Sequence, residues 1–243
     1  MPKPFLMLSS RADPVPAASE AEALPRIAGL RQGEWVQVKM EQVGFPEIDL
    51  NDWSGIIVCG SPFDVGTPEE EKSAIQRNIE AGLRNIYPRI LDESFPYLGL
   101  CYGLGTLNLY LGGEMGTDGG EAISAPLLTV NDAGRNDELL KGMPTTFHSY
   151  VGHHEAVTRL GEGMEVLVTG EICPIHMVRV GDKAWATQFH PELDLAGIEV
   201  RIDEYGGRYY PAEEADAIRE VVRSVDVTPC HNVLSTFVEL HRR

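Results

Sequence analysis

Short apolar runs in the first hundred residues restrict the possible folds of this chain most strongly. Three of them are apolar at nearly every position: FLMLS at 5–9, GIIVC at 55–59 and FPYLGL at 95–100. Runs of this length favour strands over helices, and uninterrupted apolar character is typical of strands buried on both faces of a parallel sheet. A fourth run, Trp35 to Met40, alternates in polarity and predicts a half-buried strand.

Helical segments separate these apolar runs. Thr67-Pro68-Glu69-Glu70-Glu71 combines a capping residue, a proline suited to the first helical position and acidic side chains near the positive end of the helix dipole. This helix is predicted to run from Thr67 to about Gly82. A second helix is predicted directly after Cys101, because leucines recur at helix-compatible spacing over residues 104–111. The alternation predicts an α/β fold with a largely parallel central sheet flanked by helices.

The second half of the chain changes to short strands separated by glycine turns. Strands are predicted over Leu127–Val130, Glu165–Thr169, Ile175–Val180 and Lys183–Phe189. Val180-Gly181-Asp182-Lys183 predicts a tight hairpin, and further helices are predicted to start near Pro211 and Thr228. Because no repeat or linker interrupts the sequence, residues 1–243 are predicted to form one domain with a small antiparallel extension.

The charge of the chain excludes several classes of partner. It has 20 Lys and Arg against 37 Asp and Glu, a formal net charge of -17. Such a protein repels phosphate backbones and anionic membrane surfaces, so neither nucleic acid nor a membrane is an expected partner. The apolar runs are far shorter than the roughly 18 residues of a spanning helix, and no signal-peptide pattern is present. A cytoplasmic protein is therefore predicted.

Four cysteines are spread along the chain with no C-x-x-C pair: Cys59, Cys101, Cys173 and Cys230. This spacing argues against a zinc knuckle or a disulfide framework, so free thiols are predicted. Cys101 lies in Gly99-Leu100-Cys101-Tyr102-Gly103, between a predicted strand and a predicted helix. Glycines two positions to either side permit a sharp turn, as in the nucleophile elbow of serine hydrolases. The alternative is a structural cysteine at the end of a buried strand.

A nucleophilic role for Cys101 has two further consequences. The start of a helix carries a partial positive charge and free N–H groups, so the pKa of the thiol is predicted to be lowered. The backbone N–H of Tyr102 is predicted to donate to the oxyanion that forms during acyl transfer.

A second motif, Gln188-Phe189-His190-Pro191-Glu192, supplies a possible base. Pro191 favours extended backbone at His190, and residues two apart in an extended segment point to the same side. Glu192 should then reach the imidazole of His190 and orient it. Cys101, His190 and Glu192 would together provide a nucleophile, a base and an orienting carboxylate. The alternative is a surface His-Pro-Glu turn.

The two motifs together resemble the class I (triad-type) glutamine amidotransferases, most of all stand-alone members similar to the amidotransferase domain of GMP synthase. Two further landmarks stand in the family's order: Ile57–Pro62 at its oxyanion loop and Val151–Glu155 at its substrate loop. The resemblance covers most of the chain and implies a flavodoxin-like three-layer fold. It also implies hydrolysis of the glutamine side-chain amide through a γ-glutamyl thioester, with release of ammonia.

The resemblance assigns roles to residues at these landmarks. It implies catalytic roles for Cys101, His190 and Glu192, an oxyanion hole at Gly60, Ser61 and Tyr102, and substrate contacts at Gly105, Gly152, His153, His154 and Glu155. Three positions depart from the family pattern. Gly105 stands where a glutamine usually holds substrate, Ser61 replaces a loop glycine, and His154 replaces a glycine of the substrate loop. These departures predict weaker binding of free glutamine.

Three classes of function are compatible with the sequence. The first is an amidotransferase that delivers ammonia to a separate synthetase subunit, because the chain has no ATP-binding pattern of its own. The second is a self-sufficient hydrolase of γ-glutamyl amides or peptides that uses the same triad. The third is a non-catalytic module with the same fold. No cofactor is expected, and no metal, because the adjacent His153 and His154 should diverge and no HExxH motif accompanies them.

Overall fold

Strands and helices alternate in the first hundred residues, as the apolar runs predict. The computed structural model describes residues 2–206 and 210–243 of the chain. The strands are β1 Phe5–Ser9, β2 Trp35–Lys39, β3 Gly55–Val58, β4 Tyr97–Leu100, β5 Glu114–Gly116, β6 Glu121–Ser124, β7 Leu127–Val130, β8 Thr146–His148, β9 Val151–His153, β10 Ala156–Arg159, β11 Met164–Thr169, β12 Met177–Val180 and β13 Ala184–Thr187. The helices are α1 Pro14–Ile27, α2 Met40–Val43, α3 Ala74–Asp92, α4 Tyr102–Tyr110, α5 Asp132–Arg135, α6 Leu195–Tyr205, α7 Ala215–Arg223 and α8 Asn232–His241.

One large sheet carries the fold, with the strand order β2-β1-β3-β4-β13-β12-β11-β7-β8. The pairs from β2 to β13 are parallel, and those from β13 to β8 are antiparallel. Two antiparallel ribbons, β5 with β10 and β6 with β9, stand beside it. The structure confirms the predicted α/β class, and the antiparallel extension continues the parallel sheet.

Alternate side chains of the central strands pack into two cores, one on each face of the sheet. From β1, Phe5 and Met7 join the core that contains residues of α1, α6 and α8, whereas Leu6 and Leu8 join the core that contains residues of α3 and α4. This division follows from the two-residue period of a strand. Burial on both faces explains why the apolar runs are uninterrupted.

Most predicted boundaries agree with the structure to within one or two residues. The predicted hairpin is present, because β12 and β13 pair antiparallel around Gly181, whose φ is 60°. Short 3-10 turns at Ala212–Glu214 and Thr228–His231 precede α7 and α8, where helix starts were predicted. Among the described residues, none of the helices is long and apolar enough to span a bilayer.

Two helices differ from the sequence-based expectation. The helix predicted to begin at Thr67 begins at Ala74, because Ser73 has an extended backbone and its hydroxyl caps the first turn. It then continues past Gly82 to Asp92. α1 was not predicted, since its segment contains three prolines. Pro14 and Pro16 lie in the first turn, where a proline costs no backbone hydrogen bond, whereas Pro25 lies inside the helix near its end.

Candidate active site

Cys101 lies at a sharp turn between β4 and α4, at the carboxyl end of a central strand. Its φ of 49° is in the left-handed region, which residues other than glycine rarely adopt. A Cβ atom at Gly99 would lie 2.7 Å from the carbonyl carbon of Gly103, and a Cβ at Gly103 would lie 3.1 Å from the Cβ and from the carbonyl oxygen of Val58. Close contact therefore requires both glycines, as the elbow pattern predicts.

Pairing of β13 with β4 brings the second motif beside Cys101. The strands are parallel, with Thr187 opposite Leu100, so the residues that follow each strand emerge at the same edge of the sheet. The backbone N–H of Cys101 donates to the carbonyl of Thr187 at 2.6 Å. Nε2 of Gln188 lies 3.5 Å from Sγ of Cys101. Sheet register thus places two segments that are far apart in sequence next to each other.

The imidazole of His190 is paired with Glu192 inside the protein. Nδ1 of His190 lies 2.7 Å from Oε1 of Glu192, and the two residues are 5% and 0% exposed. The backbone N–H of His190 also donates to the carbonyl of Tyr150 at 3.0 Å. This burial excludes the surface-turn alternative. With Nδ1 engaged by Glu192, Nε2 is the ring nitrogen left to exchange a proton.

Burial determines the protonation states at this site. Burial, with Glu192 adding to it, raises the pKa of the Cys101 thiol to about 12. Burial also lowers the pKa of His190, although Glu192 acts in the opposite direction. The pKa of Glu192 is about 2, because His190 and Arg201 stabilise its charge against the opposing effect of burial. Near neutral pH the site therefore holds a neutral thiol, a neutral imidazole and a carboxylate.

The predicted lowering of the Cys101 pKa is therefore wrong. A helix N-terminus stabilises a nearby anion by only about 0.3–1 kcal/mol. Removing a thiolate from water costs more than this, and the Glu192 carboxylate repels a second negative charge in the same site.

A buried network of charged residues lies behind Glu192, and no sequence motif revealed it. Nη2 of Arg201 lies 3.7 Å from Oε1 of Glu192 and 3.3 Å from Oε2 of Glu20. Nε of Arg11 lies 3.5 Å from Oε2 of Glu20, and the Arg11 guanidinium also donates to the hydroxyl of Tyr205. The two arginines thus neutralise two carboxylates that would otherwise repel each other inside the protein.

One signal in the sequence could have indicated part of this network. Arg11 closely follows β1, so it lies at the carboxyl edge of the sheet, where Cys101 also lies. Ligands of open α/β sheets bind at this edge. Glu20 and Arg201 had no such signal, because their helices, α1 and α6, were not among the predicted elements.

A cleft opens over Cys101 and His190. The predicted oxyanion residue Ser61 lines it, and Gly60 borders it, since a Cβ at Gly60 would lie 3.0 Å from Cε1 of His190. Ser61 does not have a positive φ, so a serine can adopt the backbone of this loop without strain. Tyr102 is the first residue of α4, and its backbone N–H has no acceptor within the helix.

Gly105 also lines the cleft, but its missing side chain does not leave an empty space. A Cβ atom at this position would lie 2.8 Å from Cγ2 of Val65 and 3.4 Å from Cε of Met115. Val65 is buried and β-branched, so it cannot easily move aside. The polar contact expected from the family pattern is replaced by an apolar one.

The remaining predicted substrate residues lie along the cleft wall, but their side chains diverge. Gly152 lines the cleft. His153 points into the protein, His154 pairs with Asp64 at 3.4 Å on the rim, and Oε2 of Glu155 accepts a 2.9 Å hydrogen bond from the backbone N–H of Gly66. Glu155 therefore connects two loops of the cleft wall.

Known proteins resemble this chain over most of its sequence. The family model described as Glutamine amidotransferase class-I matches residues 28–201. A relative from Methanocaldococcus jannaschii, named as one subunit of a glutamine-hydrolyzing GMP synthase, is 30% identical over 149 residues, which cover 60% of this chain and 69% of the relative. The GMP synthase of Lactobacillus acidophilus is 31% identical over 153 residues, covering 63% of this chain. The chain matches only 25% of the length of that relative.

Solved structures share the whole fold. A glutamine amidotransferase from Thermotoga maritima has a TM-score of 0.75, covers 98% of each chain and is 17% identical. One from Methylobacillus flagellatus has a TM-score of 0.71, covers 99% of this chain and 96% of its own, and is 15% identical. At such low identity these likenesses concern the fold, whereas the family model matches most of the sequence. The chain therefore belongs to the class-I glutamine amidotransferases, a family of cysteine-dependent amidohydrolases.

Proposed function

We propose that this chain hydrolyses the side-chain amide of glutamine, with Cys101 as nucleophile, His190 as base and Glu192 as the carboxylate that orients the base. The observation that carries the proposal is the buried 2.7 Å contact between His190 and Glu192, which sheet register brings to the Cys101 elbow. A structural cysteine at a strand end would need neither this pair nor a left-handed backbone. The same arrangement argues against a non-catalytic module.

The first half of the proposed reaction forms a thioester. Sγ of Cys101 attacks the amide carbon of glutamine, and the thiol proton passes to Nε2 of His190. Backbone N–H groups of Tyr102 and of the Gly60–Ser61 loop stabilise the oxyanion. The carbon–nitrogen bond then breaks, His190 returns the proton to the leaving nitrogen, and ammonia is released.

The second half releases glutamate. His190 removes a proton from water, the resulting hydroxide attacks the γ-glutamyl thioester, and the carbon–sulfur bond breaks. The proton returns to the Cys101 sulfur, which restores the neutral pair. Glu192 remains ionised throughout, because its pKa is about 2. Its role is to stabilise the imidazolium that forms in each half-reaction.

A separate synthetase subunit is the proposed acceptor of the ammonia. The Methanocaldococcus jannaschii relative is named as one subunit of a GMP synthase, and the Lactobacillus acidophilus GMP synthase is matched over only a quarter of its length. Both support a chain that supplies ammonia to a partner. A cytoplasmic location is part of this proposal, in keeping with four free cysteines.

A self-sufficient γ-glutamyl hydrolase is the second candidate. The apolar contact between Gly105 and Val65, where the family usually places a glutamine, favours it. Ammonia release by the purified chain from glutamine and asparagine, and hydrolysis of γ-glutamyl peptides, separate the candidates. The amidotransferase proposal expects glutamine to be preferred. Preference for γ-glutamyl peptides would favour the second candidate, and hydrolysis of none of them would contradict both.

The pH dependence of kcat/KM should show an acidic limb only. His190 must be neutral to accept the thiol proton, and burial places its pKa below the usual value of about 6.5. Activity is therefore lost as the pH falls through this lowered pKa. Because the pKa of Cys101 is about 12, no thiol ionisation intervenes between about pH 7 and 10. Steady-state rates across about pH 5 to 10 test this, and a bell-shaped profile centred near neutrality would contradict the neutral pair.

Substitution at Gly105 tests what takes the place of the substrate contact that a glutamine side chain usually makes at this position in the family. Gly105→Gln alone should not improve binding, because Val65 occupies the space that the new side chain needs. The double variant Val65→Ala/Gly105→Gln has the room and should lower KM for glutamine by about ten- to a hundredfold, the value of a hydrogen bond to a charged group. kcat should change little, because the contact lies away from the reacting carbon.

The single variant Val65→Ala is the matched control, because it creates the same space without adding the glutamine side chain. An equal drop in KM for Gly105→Gln and the double variant would show that Val65 does not block the position. An unchanged KM in the double variant would show that other groups already hold the charged end of glutamine, away from the reacting carbon.

A further inference from the structure

A group of buried metal-binding side chains lies inside the protein, behind the substrate loop. Within the described part of the chain, ligand atoms of Glu121, His153 and Cys173 all lie within 4.8 Å of one another. A fourth side chain, His176, lies next to this group, with its Nε2 3.2 Å from Oε2 of Glu121, but it is not one of the side chains that meet this mutual distance. All four residues are nearly inaccessible to solvent, with exposures between 0% and 6%. The reaction proposed for Cys101 uses none of these side chains.

The orientation of His153 directs a ring nitrogen toward Glu121. Its Nδ1 lies 2.9 Å from the backbone carbonyl of Glu155, which can only accept, so Nδ1 carries a proton. Nε2 then lies 3.1 Å from Oε2 of Glu121. Metal-binding histidines commonly have this arrangement, in which one ring nitrogen donates to a carbonyl and the other is left for the metal.

His176 provides an independent observation. It is 0% exposed, and neither of its ring nitrogens makes a hydrogen bond to any described residue, since Nε2 is close to Glu121 but not aligned with it. Buried polar groups without hydrogen bonds are rare in native proteins and indicate an unseen water or ion. A glycine makes room for the ring, because a Cβ at Gly170 would lie 2.6 Å from its Nε2. The ring is thus accommodated, but its polar atoms are not satisfied by the described protein groups.

We propose that Glu121, His153 and Cys173 bind a divalent metal ion of the zinc type, with His176 beside them. Tetrahedral zinc with bonds of about 2.0–2.1 Å to nitrogen and oxygen places neighbouring ligand atoms about 3.3 Å apart. The observed distance between Nε2 of His153 and Oε2 of Glu121 is 3.1 Å. A thiolate and a carboxylate neutralise the double charge of the ion, and the mixed sulfur, nitrogen and oxygen donors suit zinc better than magnesium or calcium.

The site would fasten the wall of the cleft. Glu121 and His153 are opposite each other in the β6–β9 ribbon, and Cys173 and His176 lie in the loop before β12. His153 directly follows Gly152, which lines the cleft. No metal motif is visible in the sequence, because the partners of His153 come from another strand and a distant loop.

Metal binding by the full chain tests the proposal. The protein is stripped with a chelator, dialysed and loaded with zinc or cobalt(II) alone. We expect one zinc per chain and, with cobalt(II), near-ultraviolet absorption from a thiolate–metal bond. Both should be lost in Cys173→Ser and in Glu121→Gln. Cys230→Ser, a matched change at another buried cysteine, and Cys101→Ala should retain both signals.

Thermal unfolding provides a second measurement. Free zinc at about 100 times its Kd should raise the Tm of the stripped wild-type chain by about 5–10 °C and leave that of Glu121→Gln unchanged. If a variant does not fold, the wild-type titration decides alone. Absence of both thiolate absorption and a Tm shift in the wild type would overturn the proposal. So would absorption that disappears with Cys101 rather than with Cys173, because the ion would then be in the catalytic cleft.

Discussion

Replacing Cys101 with alanine, or His190 with alanine, should each lower kcat by about 10⁶-fold, because the nucleophile and the base of a triad act as one unit. The double variant should be no slower than either single variant. Glu192→Gln should lose about 10⁴-fold and keep measurable activity, because the amide preserves part of the orientation but not the charge that stabilises the imidazolium. The measurement is ammonia release in enzyme excess, where slow single turnovers remain visible.

A cysteine variant outside the site is the control for these substitutions. Cys230→Ser changes a buried thiol that has no role in the proposed reaction. It should retain near-normal kcat. Near-normal kcat in His190→Ala would instead contradict the assignment, and the base would have to be sought among His153, His154 and His176.

Replacing Arg201 with methionine should destabilise the fold and move the acidic limb of the activity profile. Glu192 and Glu20 would lose a buried partner, and removing one partner of a buried ion pair costs about 3–5 kcal/mol in the free energy of unfolding. The Arg201 charge also lowers the pKa of His190. Without it that pKa rises, so activity should be lost at a higher pH. Urea unfolding and kcat/KM profiles measure the two effects.

Arg223→Met is the matched control, because Arg223 is an exposed arginine paired with Glu199. An exposed ion pair contributes about 0–1 kcal/mol, and its loss should leave the pH profile unchanged. In Arg201→Met/Glu20→Gln, removal of the carboxylate that is left with Arg11 alone should recover part of the lost stability, since the effects of contacting residues are not additive. A fully additive double variant would show that Arg201 does not stabilise Glu20, and an unmoved acidic limb in Arg201→Met would show that Arg201 does not act on the triad.

The sequence predicted the parts of this molecule that depend on local chemistry. Glycines around Cys101 indicated the elbow because close backbone contacts allow no Cβ there, and Pro191 indicated that His190 and Glu192 share one side. What it did not reveal depends on the fold. The thiol pKa is set by burial that no motif encodes, and the apolar contact of Val65 with Gly105 joins two segments that are distant in sequence.

Helices with atypical sequences account for the other omissions. α1 contains three prolines, so its Glu20 was not recognised as a buried partner of the active site. The sequence did not indicate the partners of His153 in the proposed metal site, because they lie on another strand and on a loop that are distant in sequence.

Labelling by a glutamine-mimicking electrophile tests the central claim that Cys101 is the nucleophile. Burial raises the pKa of all four thiols, so acidity alone does not distinguish them. Cys101 differs in being the cysteine that is only partly buried and that lies beside His190 at the cleft. Peptide mass mapping should find one adduct, on Cys101, formed far more slowly in His190→Ala. An adduct on Cys59, Cys173 or Cys230 with Cys101 unmodified would contradict the account.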